Sequence, residues 1–387
     1  MTSTPSANWS YPTSVRFGAG RIKELGSCAA IVGMKRPLLV TDPGLAKLPM
    51  TEAALDVLRD AGLEPAVFSE IKPNPTGANV EAGVAAYRAG NHDGVIAFGG
   101  GSGLDAGKAI AFMSGQTRPM WDFEDIGDWW KRADPAGIAP IIAVPTTAGT
   151  GSEVGRAGVI TNEETHTKKV IFHPKMLPEI VICDPELTVG MPRYFTVGTG
   201  MDALAHCLEA YSSTFYHPMG DGIALEGIRL VFENLKRAAD VPDDLVARGN
   251  MMSAAAMGAV AFQKGLGAIH ALSHPVGALY DTHHGMTNAV FMPYVLAFNR
   301  PVIEEKFERL AGFLGLEGGF DGVMKAVLEL REELDVPNTL AGLKVDGAQA
   351  AKIAEMAVVD PTAGGNPLEL TVEGARAIFD AALEGRL

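Results

Sequence analysis

Up to about residue 185, short apolar runs alternate with stretches of helical periodicity. Residues 36–42 read Arg-Pro-Leu-Leu-Val-Thr-Asp, an apolar run closed by polar positions. Residues 50–61 then space their apolar side chains as a helix does, and 64–68 return to an extended pattern. A helix over 79–89 follows, then a buried strand over 94–98 that runs into glycines; 141–145 and 181–185 supply further strands. Repetition of strand, helix and strand predicts a parallel sheet covered by helices.

From Pro192 the texture changes to long helical patterns rich in Ala, Leu, Met and Glu, with few β-branched runs. Helices are predicted over 193–212, 221–239, 244–260, 304–314 and 347–357. The junction 184–192, with two prolines and a glycine, reads as a boundary. The expected organisation is an α/β domain over 1–188 and an all-helical domain over 189–387, with neither a fixed-period repeat nor a low-complexity tract.

Composition narrows the function. A chain of 387 residues, 47% apolar, is long enough for two sizeable cores. Its net charge of −14 repels a phosphate backbone and an anionic membrane alike, so neither nucleic acid nor membrane is an expected partner. The longest apolar runs, such as 138–144, fall far short of the ~20 residues that span a bilayer. Three widely spaced cysteines, Cys28, Cys183 and Cys207, offer no disulfide framework. The opening nine residues lack the basic start and apolar core of a secretory signal. A cytoplasmic protein is expected.

Phe98-Gly99-Gly100-Gly101-Ser102-Gly103-Leu104-Asp105-Ala106-Gly107-Lys108 lies where a strand ends and a helix begins. Free amides and the positive end of a helix can meet a pyrophosphate there, and glycine permits close approach. Gly101-x-Gly103-x-x-Ala106 satisfies the dinucleotide fingerprint, whereas the P-loop pattern fails because Ser102 stands where its first glycine belongs and Ala109 follows Lys108. Pro145-Thr146-Thr147-Ala148-Gly149-Thr150-Gly151-Ser152-Glu153 is a second segment after a strand, crowded with hydroxyls that can donate to phosphate or ribose. Two such segments favour one ligand shared at the strand ends.

Most of the nine histidines fall between 206 and 284. Asp202 and His206 are four apart, so on a helix both face one side, within reach of a single ion. His270 and His274 repeat that spacing. Unbroken helix from His270 to His284 would separate them by about 21 Å along the axis, too far to share an ion. Either His284 is no ligand or the helix breaks; Asp281-Thr282-His283-His284-Gly285, polar and ending in glycine, reads as such a break. By spacing, His270 with His274 is the easier ligand pair.

Together these motifs resemble the iron-containing (group III) alcohol dehydrogenases. The likeness rests on Gly99-Gly100-Gly101-Ser102-x-x-Asp105, the 145–153 segment, Gly200-Met201-Asp202-Ala203-Leu204-Ala205-His206, His270-Ala271-Leu272-Ser273-His274-Pro275-Val276-Gly277 with His284-Gly285, and Gly364-Gly365-Asn366-Pro367. The resemblance implies a Rossmann-like N-terminal domain and a helical C-terminal domain with the active site in the cleft between them. It implies Asp202, His206, His270 and His284 as ligands of Fe2+, with Zn2+ or another divalent ion as alternatives, and His274 as a nearby unligated histidine, which becomes the candidate proton relay because a histidine's pKa lies near working pH. It also implies NAD contacts at Asp42, Asn74, Gly100, Gly101, Ser102, Asp105, Thr146, Thr147, Thr150 and Lys168. A carboxylate at position 42 would repel a 2′-phosphate, so NAD is expected over NADP.

The implied reaction is reversible oxidation of a small primary alcohol or diol to its aldehyde, with hydride passing to NAD, in a homodimer or larger homo-oligomer. Glycerol dehydrogenase-like and dehydroquinate synthase-like chemistry are the neighbouring alternatives, and an inactive metal- and nucleotide-binding protein is the remote one. Two departures bear on substrate: 261–265 is one residue shorter than the family's usual segment, and Thr362 stands where some relatives carry cysteine.

Overall fold

A computed structural model describes residues 11, 13–165 and 167–387. The segment read above as lacking a secretory signal, residues 1–9, lies outside them. The chain forms two compact units, Tyr11–Thr147 with Gly151–Gly190, and Ala148–Thr150 with Met191–Leu387.

The first unit runs β1 (Ser14–Phe17), α1 (Leu25–Ile31), β2 (Pro37–Val40), α2 (Pro49–Asp60), β3 (Ala66–Phe68), α3 (Gly77–Ala89), β4 (Gly94–Gly99), α4 (Gly101–Met113), β5 (Ile141–Pro145), β6 (Ala157–Asn162), β7 (Thr167–Phe172) and β8 (Ile180–Cys183). Six strands form one sheet in the order β1-β8-β5-β4-β2-β3, and every pairing is parallel. Successive side chains on a strand point to opposite faces, and the sheet uses both. Leu38, Val40, Val95 and Ile141 pack with Val80, Val84, Ile110 and Phe112 from α3 and α4. Leu39, Ile96, Phe98, Ile142 and Val144 pack with Leu25, Cys28, Leu55 and Leu58 from α1 and α2. Each fully buried Leu, Ile, Val or Phe is worth about 1.5–3 kcal/mol, which explains why the central strands are apolar at every position.

The sheet's order reverses at β2. The chain steps outward from β2 to β3, then returns to place β4 on the other side of β2. Such a reversal opens a crevice at the carboxyl ends of the two strands.

One part of this unit is not parallel. Strands β6 and β7 form a separate antiparallel ribbon, where the sequence reading had no strands. Their signal is a period-two burial alternation, with Gly158, Ile160 and Asn162 inward. Asn162 Oδ1 accepts from Glu164 N–H at 2.9 Å and Thr165 N–H at 3.1 Å, which starts the turn.

The second unit is helical among the described residues: α5 (Arg193–Ser212), α6 (Pro218–Asp240), α7 (Leu245–Ala261), α8 (Ala268–Tyr280), α9 (His284–Leu314), α10 (Gly319–Glu333), α11 (Ala350–Val358) and α12 (Val372–Glu384). Helix α5 is buried over most of its length because α6, α7 and α9 surround it. A helix apolar all round belongs in a core.

Helix α9 corrects the sequence reading, which began a helix only at Glu304. It starts at His284 and continues through Pro293 and Pro301. An interior proline removes a backbone hydrogen bond and disfavours helix, but Met286, Val290, Phe291, Met292 and Val295 are all buried. Burial on that scale outweighs local propensity. The break expected over 281–285 is present, although the turn falls before Gly285. Asp281, with φ +53°, ends α8 in the left-handed conformation, and Gly285 lies inside the first turn of α9.

Candidate metal centre and nucleotide-binding end

In the first unit, the ends of β2, β4 and β5 bring together Asp42, Gly99 to Ser102, Thr146 and Thr147. Gly99 has φ +146°, a conformation other residues rarely adopt. A Cβ on Gly100 would stand 3.1 Å from Thr147 Cγ2, and one on Gly103 would stand 3.1 Å from the Phe98 carbonyl oxygen. Helix α4 starts at Gly101 with no side chain capping its N-terminus, so its first amides are presented to a ligand. The glycine cradle and the uncapped helix end both suit the pyrophosphate of a dinucleotide.

Around this edge, Asn74 has φ +55° and donates its N–H to Ser102 Oγ at 3.3 Å. Asp42 Oδ1 accepts from Gly44 N–H at 2.8 Å and Leu45 N–H at 3.0 Å. Thr146 donates its N–H to the Gly99 carbonyl at 3.0 Å. Lys168 sits on β7 opposite Thr161. Thr150 belongs with Ala148 and Gly149 to the helical unit.

Asp105, named above with the nucleotide contacts, also bonds within the protein. Its Oδ1 accepts from Ser152 Oγ at 2.5 Å and its Oδ2 from Val159 N–H at 3.0 Å. Through these two bonds it holds the 152–159 segment in place. Lys108, rejected above as a P-loop lysine, shares that task. Only 1% exposed, it donates to the carbonyls of Ser152, at 2.8 Å, and Ala157. Burial lowers its pKa, and Asp105 and Glu153 oppose that shift.

In the helical unit, α5 carries Asp202 and His206 one turn apart, α8 carries His270, and α9 opens on His284. The three histidine Nε2 atoms lie 3.7 Å (His206), 3.5 Å (His270) and 3.6 Å (His284) from Asp202 Oδ1. Ligand bonds of about 2.0–2.2 Å in a tetrahedral site put neighbouring ligand atoms about 3.3–3.6 Å apart. Ligand atoms of Asp202, His206 and His270 all lie within 4.8 Å of one another. The Asn288 Nδ2 group is drawn to the same lone pairs, 2.7 Å from Asp202 Oδ1 and 3.2 Å from Nε2 of both His270 and His284. One carboxylate and three imidazoles around an electron-rich point suit a divalent transition metal.

Electrostatics are steep here. Burial alone would raise the Asp202 carboxyl, but His206, His284 and His270 hold it well below the ordinary carboxylate value. Burial lowers His206 to about 4 despite Asp202. Burial would also lower His270, yet Glu209 and Asp202 together raise it. The side chain of His284 is 31% exposed, against 2–6% for the other three, so this side of the cluster is open to a ligand.

His274 stands apart from the cluster around Asp202, contrary to what spacing favoured. Its Nδ1 is 2.9 Å from Asp360 Oδ2, and its ring stacks on His284 at 5.3 Å. Asp360 Oδ1 accepts from Thr362 N–H at 2.9 Å and Thr362 Oγ1 at 2.6 Å. Burial raises Asp360, but the hydrogen bonds from His274 and Thr362 bring it below its ordinary value. His283 caps α9, its Nδ1 accepting from Met286 N–H at 3.3 Å.

Sequence reasoning passed over Glu209, Asn288, Asp360 and Lys108 as parts of these sites. Two carried a signal. Asp202, His206 and Glu209 follow i, i+4, i+7, which is a single helical face, and Asn288 is one turn beyond His284.

Known proteins match both halves of the chain. The iron-containing alcohol dehydrogenase model matches residues 12–185, and the C-terminal model of the Fe-containing alcohol dehydrogenase family matches 196–383. The chain is 39% identical to 4-hydroxybutyrate dehydrogenase of Cupriavidus necator, over 96% of this chain and 99% of that one. It is similar in structure to a 1,3-propanediol oxidoreductase, with a TM-score of 0.93 and 36% identity over 97% of this chain and 100% of that one. It is also similar to the sulfoacetaldehyde reductase of Bifidobacterium kashiwanohense solved with NAD+, with a TM-score of 0.88 and 29% identity over 97% and 99% of the two chains. The chain belongs to the iron-containing alcohol dehydrogenase family. It is thus an alcohol dehydrogenase with a Rossmann-like first unit, and the cofactors of its family are NAD and Fe2+.

Proposed function

We propose that the protein interconverts a small primary alcohol or diol and its aldehyde, using NAD and a divalent ion held by Asp202, His206, His270 and His284. The observation that carries this reading is the approach of three histidine Nε2 atoms to within 3.7 Å of Asp202 Oδ1. An ion held by these four residues would supply a Lewis acid favouring alkoxide over alcohol. Asp202 and the three rings orient the centre, and the partly exposed edge at His284 admits substrate. Asp360 ties His274 Nδ1, which leaves Nε2 to carry the hydroxyl proton. In the first unit, Gly100, Gly101 and Ser102 bind the pyrophosphate, Thr146 and Thr147 line the same edge with Asn74, and Lys168 extends the nucleotide contacts. Asp42 receives the ribose and disfavours a 2′-phosphate.

The substrate class is supported by relatives that act on a hydroxy acid and a diol. Cys28, Cys183 and Cys207 are all unpaired and buried, in keeping with a reducing, cytoplasmic compartment. A homodimer or larger homo-oligomer completes the reading. The test is an anaerobic screen of alcohols and aldehydes with NAD(H) and NADP(H), on protein loaded with Fe2+ or Zn2+. Alcohol-dependent NADH formation is expected, with small primary alcohols and diols leading. Absence of any absorbance change across the panel would sink the reading and favour the inactive binding protein.

A further inference from the structure

The first turn of α8 has no cap of its own. Its N-cap is Gly267, and side chains from elsewhere meet its amides. Asn366 Oδ1 accepts from Ala268 N–H at 3.1 Å. Glu209 Oε1 accepts from Ile269 N–H at 2.7 Å and His270 N–H at 3.3 Å. The other oxygen, Oε2, lies 2.5 Å from His270 Nδ1. A Cβ at position 267 would stand 2.8 Å from Asn366 Oδ1 and 3.2 Å from Glu209 Oε1, so glycine makes room for both. Glu209 is itself only 5% exposed.

We infer that Glu209 is a positioning residue that fixes the tautomer and orientation of His270 for the metal. The inference rests on the reading of the Asp202 cluster as a metal centre. An ionised carboxylate only accepts, so Oε2 is satisfied by an Nδ1–H and by nothing else His270 can offer. A proton on Nδ1 leaves the lone pair on Nε2, which lies 3.5 Å from Asp202 Oδ1. The same carboxylate grips the backbone of His270, so ring and main chain are held as one piece. A carboxylate behind a ligand histidine also strengthens that histidine as a donor.

A glutamine at this position has one oxygen where the glutamate has two. Either it keeps the amide cap and turns its NH2 on Nδ1, which moves the ring proton to Nε2 and blocks ligation, or it keeps the ring and orphans Ile269 N–H. Aspartate retains the charge near the helix end but falls short of the ring.

The experiment measures Zn2+ affinity by chelator competition on purified full-length wild type, Glu209→Gln, Glu209→Asp, Asn366→Ala and His206→Ala. Near-ultraviolet circular dichroism of the metal-free proteins reports folding, and the visible spectrum of Co2+-loaded samples reports the ligand field. Expected are affinities about 10–100-fold weaker in both Glu209 variants, as for other carboxylates behind a ligand histidine. Their Co2+ spectra should be altered, whereas Asn366→Ala, which loses a cap without touching the ring, should keep wild-type affinity and spectrum. Should Glu209→Gln fail to fold, Glu209→Asp alone decides. Wild-type affinity in a folded Glu209 variant overturns the inference, as does an equal loss in Asn366→Ala, because the cap alone would then explain it. A wild type that binds Zn2+ no better than His206→Ala overturns the metal reading and this inference together, an outcome set apart by the failure of the wild type itself.

Discussion

Gly285 and Gly198 meet so closely that a Cβ built on Gly285 would stand 2.0 Å from the Gly198 carbonyl oxygen. That same Cβ would lie 3.1 Å from Asp202 Cβ, so the crossing of α5 and α9 sets the distance between Asp202 and His284. Backbone has to move if a methyl is placed there. Gly285→Ala should destabilise by about 1–3 kcal/mol, the usual cost of overpacking. It should also weaken metal binding, because His284 is displaced from its partners. Thermal unfolding with and without Zn2+ checks both effects; a stable variant with undiminished affinity would show that the crossing does not govern the centre.

The sheet was legible because its strands are local and apolar: 94–98 and 141–145 announce themselves without reference to the rest of the chain. Asp202 and His206 were legible for the same reason, their spacing being fixed by one helix. His284 was not, since its approach depends on Asp281 adopting φ +53° and on the Gly198 contact, neither of which leaves a mark on local periodicity. The first half of α9 is masked in the sequence by Pro293 and Pro301, because tertiary burial and not local propensity holds it helical. Glu209 was overlooked because a lone glutamate on a helix is ordinarily solvated; only the fold brings it to the start of α8. The bonds of Asp105 to Ser152 and Val159 likewise depend on β6, whose pairing with β7 spans a turn.

Lys108 holds the 152–157 segment from within the first unit, with Nζ on the carbonyls of Ser152 and Ala157 and 3.4 Å from Asp105 Oδ1. Lys108→Met keeps much of the volume but leaves two carbonyls without their donor. A buried charged hydrogen bond is worth about 1.5–3 kcal/mol, and stability should fall by that order. The loosened segment follows Thr146 and Thr147, so KM for NAD should rise several-fold more than kcat falls. Steady-state kinetics at varied NAD separates this from a loss confined to kcat, which would place Lys108 in the chemistry instead.

Glu153, 3% exposed, is raised by burial from 4.5 to about 7, with Lys108 opposing the shift. Between those values the folded protein holds a proton that the unfolded chain has released, so this carboxyl makes stability fall as pH rises from about 4.5 to about 7. The full cost above that window is on the order of 3 kcal/mol. Glu153→Gln should therefore lose this slope while leaving stability near pH 4.5 little changed. Urea midpoints for the two proteins between pH 4.5 and pH 8 should diverge in favour of the variant as pH rises. Parallel curves would mean that Glu153 is ionised throughout.

His274 and His284 stack at 5.3 Å yet should fail in different ways. His284 Nε2 points at Asp202 Oδ1, 3.6 Å away, whereas His274 Nδ1 is occupied by Asp360 at 2.9 Å. His284→Ala removes a donor from the cluster and should lose metal, with turnover following. His274→Ala leaves the four ligands in place; it should retain metal and lose about 10²–10⁴ in kcat, the contribution of a positioned acid-base group. Asp360→Asn should resemble a milder His274→Ala, since it removes the charge behind Nδ1 but leaves the ring. Metal content by atomic absorption, measured beside kcat on the same preparations, discriminates the roles. Equal metal loss in His274→Ala and His284→Ala would contradict the assignment of His274 to the proton and return it to the ligand set.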